Sequence, residues 1–173
     1  MEDINIFMNG TVVTRDDTNR VIKDGVVVCQ GDKIRSVGKR GEIPELPQGA
    51  NIIDAKGGLI MPGYINPHSH AYCSLVRGYQ IPGFVSEGFM DNLVNKWWFV
   101  DGQFTTEQCR SMAEVSFLEA VKNGVTTEFD HHASYGTVTG SLAQFQEAAE
   151  QMGLRTCLCF EVSDRAGEES GSR

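Results

Sequence analysis

Short runs of alternating hydrophobic and polar residues fill the first third of the chain, a pattern typical of β-strands. Asn9-Gly10 is a strong hairpin signal, and Gly31-Asp32 marks a second tight turn. A loop marked by Pro44, Pro47 and Gly49 precedes the last run of this region. The pattern predicts a small N-terminal β-sheet over residues 1–58, with strands at 3–13, 25–30, 34–37 and 51–54.

In the second half of the chain, the hydrophobic residues recur at the spacing of a helix. Thr105 and Gln108 have the spacing of a capping box, and apolar residues then recur at helical spacing until Asn123-Gly124. A second helix is predicted to open at Ser141 and to end before Gly153. Strands are predicted before, between and after these helices, which indicates parallel β/α units. The predicted strands that flank the second helix are 125–130 and 154–162.

Two segments show no periodic pattern of hydrophobic residues. Residues 72–101 contain proline, glycines and the pair Trp97-Trp98, and a long aromatic connection that follows a strand of a β/α unit is where substrate loops lie. Alternatively, at least one tryptophan packs this connection onto the β/α core. Residues 165–173 are rich in Gly, Ser and Glu, so we expect a disordered tail.

Composition excludes several functional classes. The net charge is −8 and the basic residues are scattered, which argues against a nucleic-acid partner. The chain begins with an acidic segment and has no apolar run near the ~18 residues of a membrane helix, so we expect neither secretion nor membrane insertion. Its five cysteines are odd in number and form no Cys-x-x-Cys pair, which favours reduced thiols in the cytoplasm.

The main candidate for chemistry is His68 with His70, at the end of an apolar run that begins at Leu59. Side chains alternate along a strand, so the two imidazoles point to the same side, where they could bind one metal ion. Two ligands do not complete a catalytic metal site, and the other ligands must come from elsewhere in the fold. Taken alone, the pair could also be ordinary polar histidines at a strand end.

A second histidine pair, His131-His132, follows Asp130 at the end of the next predicted parallel strand. Adjacent residues of a strand point in opposite directions, so at most one of the two histidines faces inward. One interpretation is contact with the substrate or support of the metal ligands, and the other is a buried histidine with a solvated neighbour. We expect Asp130 to orient a histidine or to cap the following turn.

The residues around His68 and His70 resemble a family signature. Pro62-Gly63, Asn66 and the two histidines match the Pro-Gly-x-(Ile/Leu/Val)-(Asp/Asn)-x-His-x-His pattern of the first barrel strand in the amidohydrolase superfamily. The chain is most similar to the aminohydrolases and chlorohydrolases related to cytosine, guanine and 8-oxoguanine deaminases. Supporting similarities lie at Leu75–Gly78, Trp97-Trp98, Ala120–Thr127 and Asp130–Ser134.

This resemblance implies an α/β fold, a (β/α)8 TIM-type barrel preceded by half of a β-sandwich. A closed barrel takes about 250 residues, so the 173 residues supply an incomplete barrel with about its first three strands. We therefore expect an N-terminal sheet at 1–58, the first β/α units at 59–164 and the tail at 165–173. The family's later ligands and acid–base groups, two histidines and an aspartate, lie on strands five, six and eight, and no histidine follows His132.

The function implied is hydrolysis of a non-peptide C–N bond, as in deamination of a heterocyclic amine, by water that a metal activates. The metal is one divalent ion, zinc in preference to iron, with His68 and His70 as ligands. We predict four contacts to a small-molecule substrate: His131, His132, Arg77 and Trp97. The sequence identifies no catalytic acid or base. The alternative function is a non-catalytic assembly module, such as a homo-oligomer, that pairs through open strand edges.

Overall fold

A computed structural model describes residues 3–43 and 46–165, which form two compact units divided between Pro62 and Gly63. The boundary lies four residues beyond the one expected from sequence. The reason is that Leu59 and Ile60 pair with Thr11 and Val12 of the N-terminal sheet and do not continue into the His-x-His strand.

The N-terminal unit is a five-stranded mixed sheet. Three strands form antiparallel pairs in the order β3-β2-β1, and β4 and β5 both pair with β1 in parallel. One face of the sheet buries Ile6, Val26 and Val28. A separate cluster contains Val12 and Ile22. The strands are β1 (Ile4–Val13), β2 (Val21–Gln30), β3 (Lys33–Lys39), β4 (Asn51–Asp54) and β5 (Leu59–Ile60).

The hairpin predicted at Asn9-Gly10 is wrong. Strand β1 continues through both residues, and its register with β2 shifts between Phe7 and Gly10. Asn9 has φ 58°, and a Cβ at Gly10 would lie 2.7 Å from the carbonyl oxygen of Gly58. The turn-forming residues therefore make an irregularity inside one long strand, which brings the Gly58 backbone against it.

The C-terminal unit has the predicted β/α order. Its three strands are parallel, in the order β6-β7-β8, and the two longer helices connect successive strands. This confirms an α/β fold that corresponds to an incomplete barrel. The elements are β6 (Tyr64–Ser69), α1 (Phe89–Asn92), α2 (Trp98–Asp101), α3 (Thr106–Lys122), β7 (Val125–His132), α4 (Ser141–Met152) and β8 (Arg155–Phe160).

Helix α3 begins and ends where the sequence predicts. Thr105 Oγ1 accepts a hydrogen bond from the Gln108 backbone N–H at 3.3 Å, and the Gln108 side chain accepts one from the Thr105 N–H at 2.9 Å. Gly124 follows the helix with φ 80°. The apolar side of α3 packs on α4, where the rings of Phe117 and Phe145 lie 5.9 Å apart edge to face. These contacts form the core between the helices and one face of the sheet.

Helix α4 begins at Ser141, as predicted, but the serine side chain does not cap it. Its N-cap is Gly140, with φ 87°, and no side chain caps it. Ser141 is the first helical residue, and its hydroxyl donates to the carbonyl oxygen of Val138. The serine side chain therefore stabilises the turn before α4 and does not cap the helix.

The connection between β6 and α3 is more regular than its sequence suggests. A 3₁₀ turn covers Ala71–Val76, and a continuous helical segment, Phe89–Asp101, contains a π-helical turn at Leu93–Trp97. Of the predicted tail, 166–173 lie outside the described residues, whereas the Arg165 side chain is buried. Within the described ranges, the longest apolar helical stretches are too short or too polar to cross a membrane.

Candidate metal centre

His68 and His70 lie side by side where β6 ends. Their ring centroids are 4.7 Å apart and the ring planes are nearly perpendicular, and both residues are exposed. Asn66 pairs with Glu128 and Ser69 with Asp130, so β6 has one residue more than β7 over this interval. A bulge of this kind changes the direction of the side chains near it. Here it lies beside His68 and His70, whose imidazoles are on one side of the strand.

The ring of His70 is held by the neighbouring strand. Its Nδ1 lies 2.9 Å from the backbone carbonyl oxygen of His131. A carbonyl oxygen can only accept, so Nδ1 carries the proton and Nε2 keeps a free lone pair. A second hydrogen bond of this kind fixes the tautomer and the orientation of histidines that bind metals.

Asp130 holds the backbone directly after His70. Its Oδ1 accepts a 2.7 Å hydrogen bond from the N–H of Ala71, the first residue of the 3₁₀ turn. The side chain is buried, and Oδ2 has no hydrogen-bond partner in the described part of the chain. Burial raises the pKa of this carboxyl to about 7, and the Ala71 hydrogen bond acts in the opposite direction. Asp130 thus caps the turn, as one of the two roles predicted for it.

His131 and His132 have opposite environments. The His131 ring lies 5.2 Å from that of His70, on the same side of the sheet. His132 is fully buried on the other side, where its Nε2 is 2.7 Å from Ser134 Oγ and its ring packs 4.3 Å from that of Phe145. Burial lowers the pKa of His132 to about 4, so it is neutral at pH 7.

The other two predicted substrate contacts also differ in placement. Arg77 forms an ion pair with Glu119 of α3 at 2.9 Å, on the exposed surface of the helix layer. Trp97 is half-buried in the π-helical turn, with Lys96 Nζ 5.2 Å from its ring centroid. The structure therefore brings His68, His70 and His131 together, and it leaves His132 and Arg77 on the helix side.

The residues present match one part of a metal site. Two imidazoles with a shared direction, one of them with its tautomer set by a carbonyl, are suitable donors for zinc. In the ranges 3–43 and 46–165, no group of three or more His, Cys, Asp or Glu side chains is arranged to hold a metal ion. The donor set fits a zinc ion and supplies two of the ligands that a catalytic site needs.

Arg165 lies near this edge, and the sequence pattern does not indicate it. Its neighbours are small and polar, which favours a disordered tail, yet its side chain is buried against Asp101, 64 positions earlier. Nothing in the local pattern around Arg165 indicates such a distant partner. The one sequence signal for a nearby cation is that Asp101 follows the apolar run 97–100, because an aspartate beside such a run needs a partner if it is buried.

Comparison with known proteins identifies relatives. The profile of the amidohydrolase family matches residues 59–173. The 5-methylthioadenosine/S-adenosylhomocysteine deaminase of Pelotomaculum thermopropionicum is 34% identical over 157 residues, which is 89% of this chain and 33% of that enzyme. The Bacillus cereus enzyme of the same name is 30% identical over 88% of this chain and 33% of its own length. The chain thus spans about a third of the length of these relatives.

Solved structures give the same result. An atrazine chlorohydrolase from Arthrobacter aurescens, in complex with zinc, superposes with a TM-score of 0.76 and 26% identity, covering 96% of this chain and 37% of the enzyme. The guanine deaminase of E. coli has a TM-score of 0.75 at 20% identity, over 98% of this chain and 39% of its own, and so supports the fold alone. With the family profile matching two thirds of the sequence and the histidine pair at the end of the first parallel strand, the chain belongs to the amidohydrolase family and corresponds to its N-terminal portion.

Proposed function

We propose that this chain supplies the first two metal ligands of an amidohydrolase that deaminates a heterocyclic amine. The main support for the proposal is the hydrogen bond that His70 Nδ1 donates to the His131 carbonyl oxygen. This hydrogen bond leaves Nε2 available to bind a metal beside the ring of His68. The ion would be zinc in preference to iron, because imidazole suits both and a zinc-bound relative has the same fold. Both histidines lie at the carboxyl end of a parallel strand, the position of active sites in barrels of this type.

The reaction class is supported by the relatives. Two of them are named as deaminases of methylthioadenosine and S-adenosylhomocysteine, and another as an atrazine chlorohydrolase. A bound zinc ion would lower the pKa of water towards ~7 and so supply a hydroxide nucleophile at neutral pH. Within this chain, His68 and His70 would hold the ion, and the His131 carbonyl would keep His70 in the binding tautomer. The proton-transfer groups are expected on later strands of the family barrel.

For the substrate, we retain two of the four predicted contacts. His131 lies beside His70 on the exposed side of the sheet, and Trp97 lies in the connection that follows β6. A small heterocycle could stack on the Trp97 ring, because aromatic rings bind flat heterocycles through offset stacking. His132 is buried among aromatic rings and Arg77 is paired with Glu119, so neither enters the proposed site.

The test is zinc binding by the chain, measured by titration calorimetry with wild type, His68→Ala and His70→Ala. We expect about one equivalent of zinc for the wild type and at least about tenfold weaker binding in each variant, since each loses one direct ligand. His132→Phe is the matched control: it also removes a histidine, but one that faces Phe145 and Phe160, and it should keep its zinc affinity. Equal zinc binding by all four proteins would refute the assignment of His68 and His70.

Assembly is a second candidate function, and one observation favours it. The side of the C-terminal sheet that carries the histidines also exposes apolar residues: Ile65 is 63% exposed and Phe129 45% exposed. Apolar area of this kind promotes association with another surface.

The site of action proposed for either function is the cytoplasm, because all five cysteines are unpaired, as expected in a reducing compartment.

A further inference from the structure

Three loops meet at the guanidinium of Arg165. Each of them follows one of the parallel strands: the connection after β6 contributes Trp98 and Asp101, the loop after β7 contributes Tyr135, and the segment after β8 contributes Glu161. All lie at the carboxyl ends of the strands, the same edge as His68 and His70. A single side chain therefore contacts all three of the segments that follow the described strands β6, β7 and β8 at this edge.

The contacts of Arg165 are close and buried. Nη2 lies 2.8 Å from Asp101 Oδ2, and Nε lies 2.8 Å from Glu161 Oε1. The guanidinium carbon is 5.0 Å from the centre of the Trp98 ring and 4.2 Å from that of Tyr135, both within the range of cation–π attraction. The side chains of Arg165 and Asp101 are 6% and 2% exposed, so this ion pair is shielded from the solvent that weakens surface pairs.

The backbone ties the same loops together. The N–H of Gly136 donates to the Asp101 carbonyl at 3.2 Å, and the Tyr135 hydroxyl donates to the Glu161 carbonyl at 3.0 Å. A Cβ at Gly136 would lie 2.5 Å from the Phe104 carbonyl oxygen, so only glycine allows this approach. Removing one partner of a buried ion pair is strongly destabilising, because the other charge is left uncompensated. Arg165 is consequently needed to keep Asp101 charged and in place.

We propose that Arg165 is a positioning residue that joins the three loops at this edge and thereby fixes Trp97, the neighbour of Trp98, in its place. The role of the held loops in binding substrate rests on the proposed function, whereas the joining of the loops does not. The side-chain contacts of Arg165 with the described residues are to Asp101, Glu161, Trp98 and Tyr135, none of which is a proposed metal ligand. Arg165 acts through Trp98 and Asp101, which end the helical segment that carries Trp97.

Tryptophan fluorescence tests the proposal directly, because Trp97 and Trp98 are the only tryptophans of the chain. In a Trp98→Phe background, Trp97 is the sole emitter and an aromatic ring remains under Arg165. Introducing Arg165→Met there should shift the emission of Trp97 to the red and increase its quenching by acrylamide at least about twofold. Arg165→Lys keeps the charge but not the planar guanidinium. Its Trp97 emission and quenching should lie between those of the Trp98→Phe parent and the Arg165→Met protein.

Arg110→Met is the matched control. Arg110 is also a partly buried arginine with two carboxylate partners, Glu114 and Glu147, but its contacts lie on α3 and α4. This variant should leave the emission of Trp97 unchanged. Hydrogen exchange followed by mass spectrometry should show faster exchange in 89–101 and 133–137 of the Arg165→Met protein, with α3 protected as in wild type.

The proposal is overturned if Arg165→Met leaves Trp97 emission and local exchange unchanged. It is also overturned if exchange accelerates equally throughout α3 and α4, since Arg165 would then support only global stability. None of these measurements uses metal or substrate. A chain that fails to bind zinc but responds in this way would refute the proposed function and leave the positioning role of Arg165 intact.

Discussion

His131 and His132 show how far adjacent residues can differ in chemistry. Alternation along β7 turns the first towards His70 and buries the second against Phe145 and Phe160. The buried imidazole is neutral at pH 7, because its surroundings lower its pKa to about 4. Its one close polar contact is with Ser134. His132 is therefore a structural residue whose protonation opposes folding.

We predict that His132 contributes a loss of stability in acid. Between pH 6.5 and about 4 the unfolded chain binds a proton at this residue and the folded chain does not, so the free energy of unfolding falls as pH falls. The contribution amounts to roughly 3 kcal/mol over the whole window. Urea denaturation of wild type and His132→Phe at several pH values measures it as the difference between the two curves. Parallel curves would contradict the prediction.

Asp130 is the residue that joins β7 to the turn after the proposed metal ligands, His68 and His70. We predict that Asp130→Ala lowers the free energy of unfolding by about 1–3 kcal/mol, because the Ala71 N–H then loses its buried acceptor. Zinc binding should weaken with it, since the backbone beside His70 is no longer fixed. Asp130→Asn retains a side-chain oxygen at the same place and should keep most of both properties. Chemical denaturation and calorimetry measure them, and equal effects of Ala and Asn would argue against the hydrogen bond.

At the scale of elements, the signature before β6 has a steric explanation. Gly63 lies so close to β7 that a Cβ would approach Thr126 Cγ2 to 2.2 Å. The first parallel strand can pair with the second at Tyr64 only if the preceding residue lacks a side chain. The glycine therefore sets the distance between the strand that carries the histidines and its neighbour.

We predict that Gly63→Ala costs about 1–3 kcal/mol of stability, the usual range for overpacking. A second change, Thr126→Gly, removes all three of the atoms that the new methyl group would meet, and should restore part of the loss. Gly88→Ala is the control, because the space around Gly88 is open, and we expect a change within about 0.5 kcal/mol. A double-mutant cycle by thermal denaturation gives the coupling energy, and additive effects would rule out this contact.

In the molecule as a whole, helices cover one side of the C-terminal sheet, whereas Ile65 and Phe129 on the other side remain 63% and 45% exposed. In a closed barrel of the family, further strands would shield such a face. In the 173-residue chain, these residues are available for contact with a second molecule.

We predict that the chain associates with itself through this face. Light scattering should give a mass that rises with concentration, and Phe129→Lys should reduce the rise because a charge opposes burial of the surface. Val85→Lys is the control, since Val85 is 83% exposed but lies in the connection after β6 and not on the sheet. A concentration-independent monomer mass for the unmodified chain would exclude this association.

Features that depend on near neighbours along the chain could be predicted from the sequence. The capping box of α3, its glycine stop, the β/α order and the spacing of His68 and His70 are encoded within a few residues, and the family signature covers the same short range. Such features are predictable because the interacting groups are separated by only two to four positions.

Features that depend on distant partners follow from the three-dimensional packing and could not be predicted from the sequence. Asn9-Gly10 forms a strand irregularity instead of a hairpin, because Gly58 packs against β1. The helices cover one side of β7, so His132 is buried beneath them and His131 lies on the other side beside His70. Arg165 is also buried against Asp101, in a segment whose composition resembles a disordered tail. Burial and ion pairing depend on which residues meet in space, and a local pattern of polar and apolar positions does not contain that information.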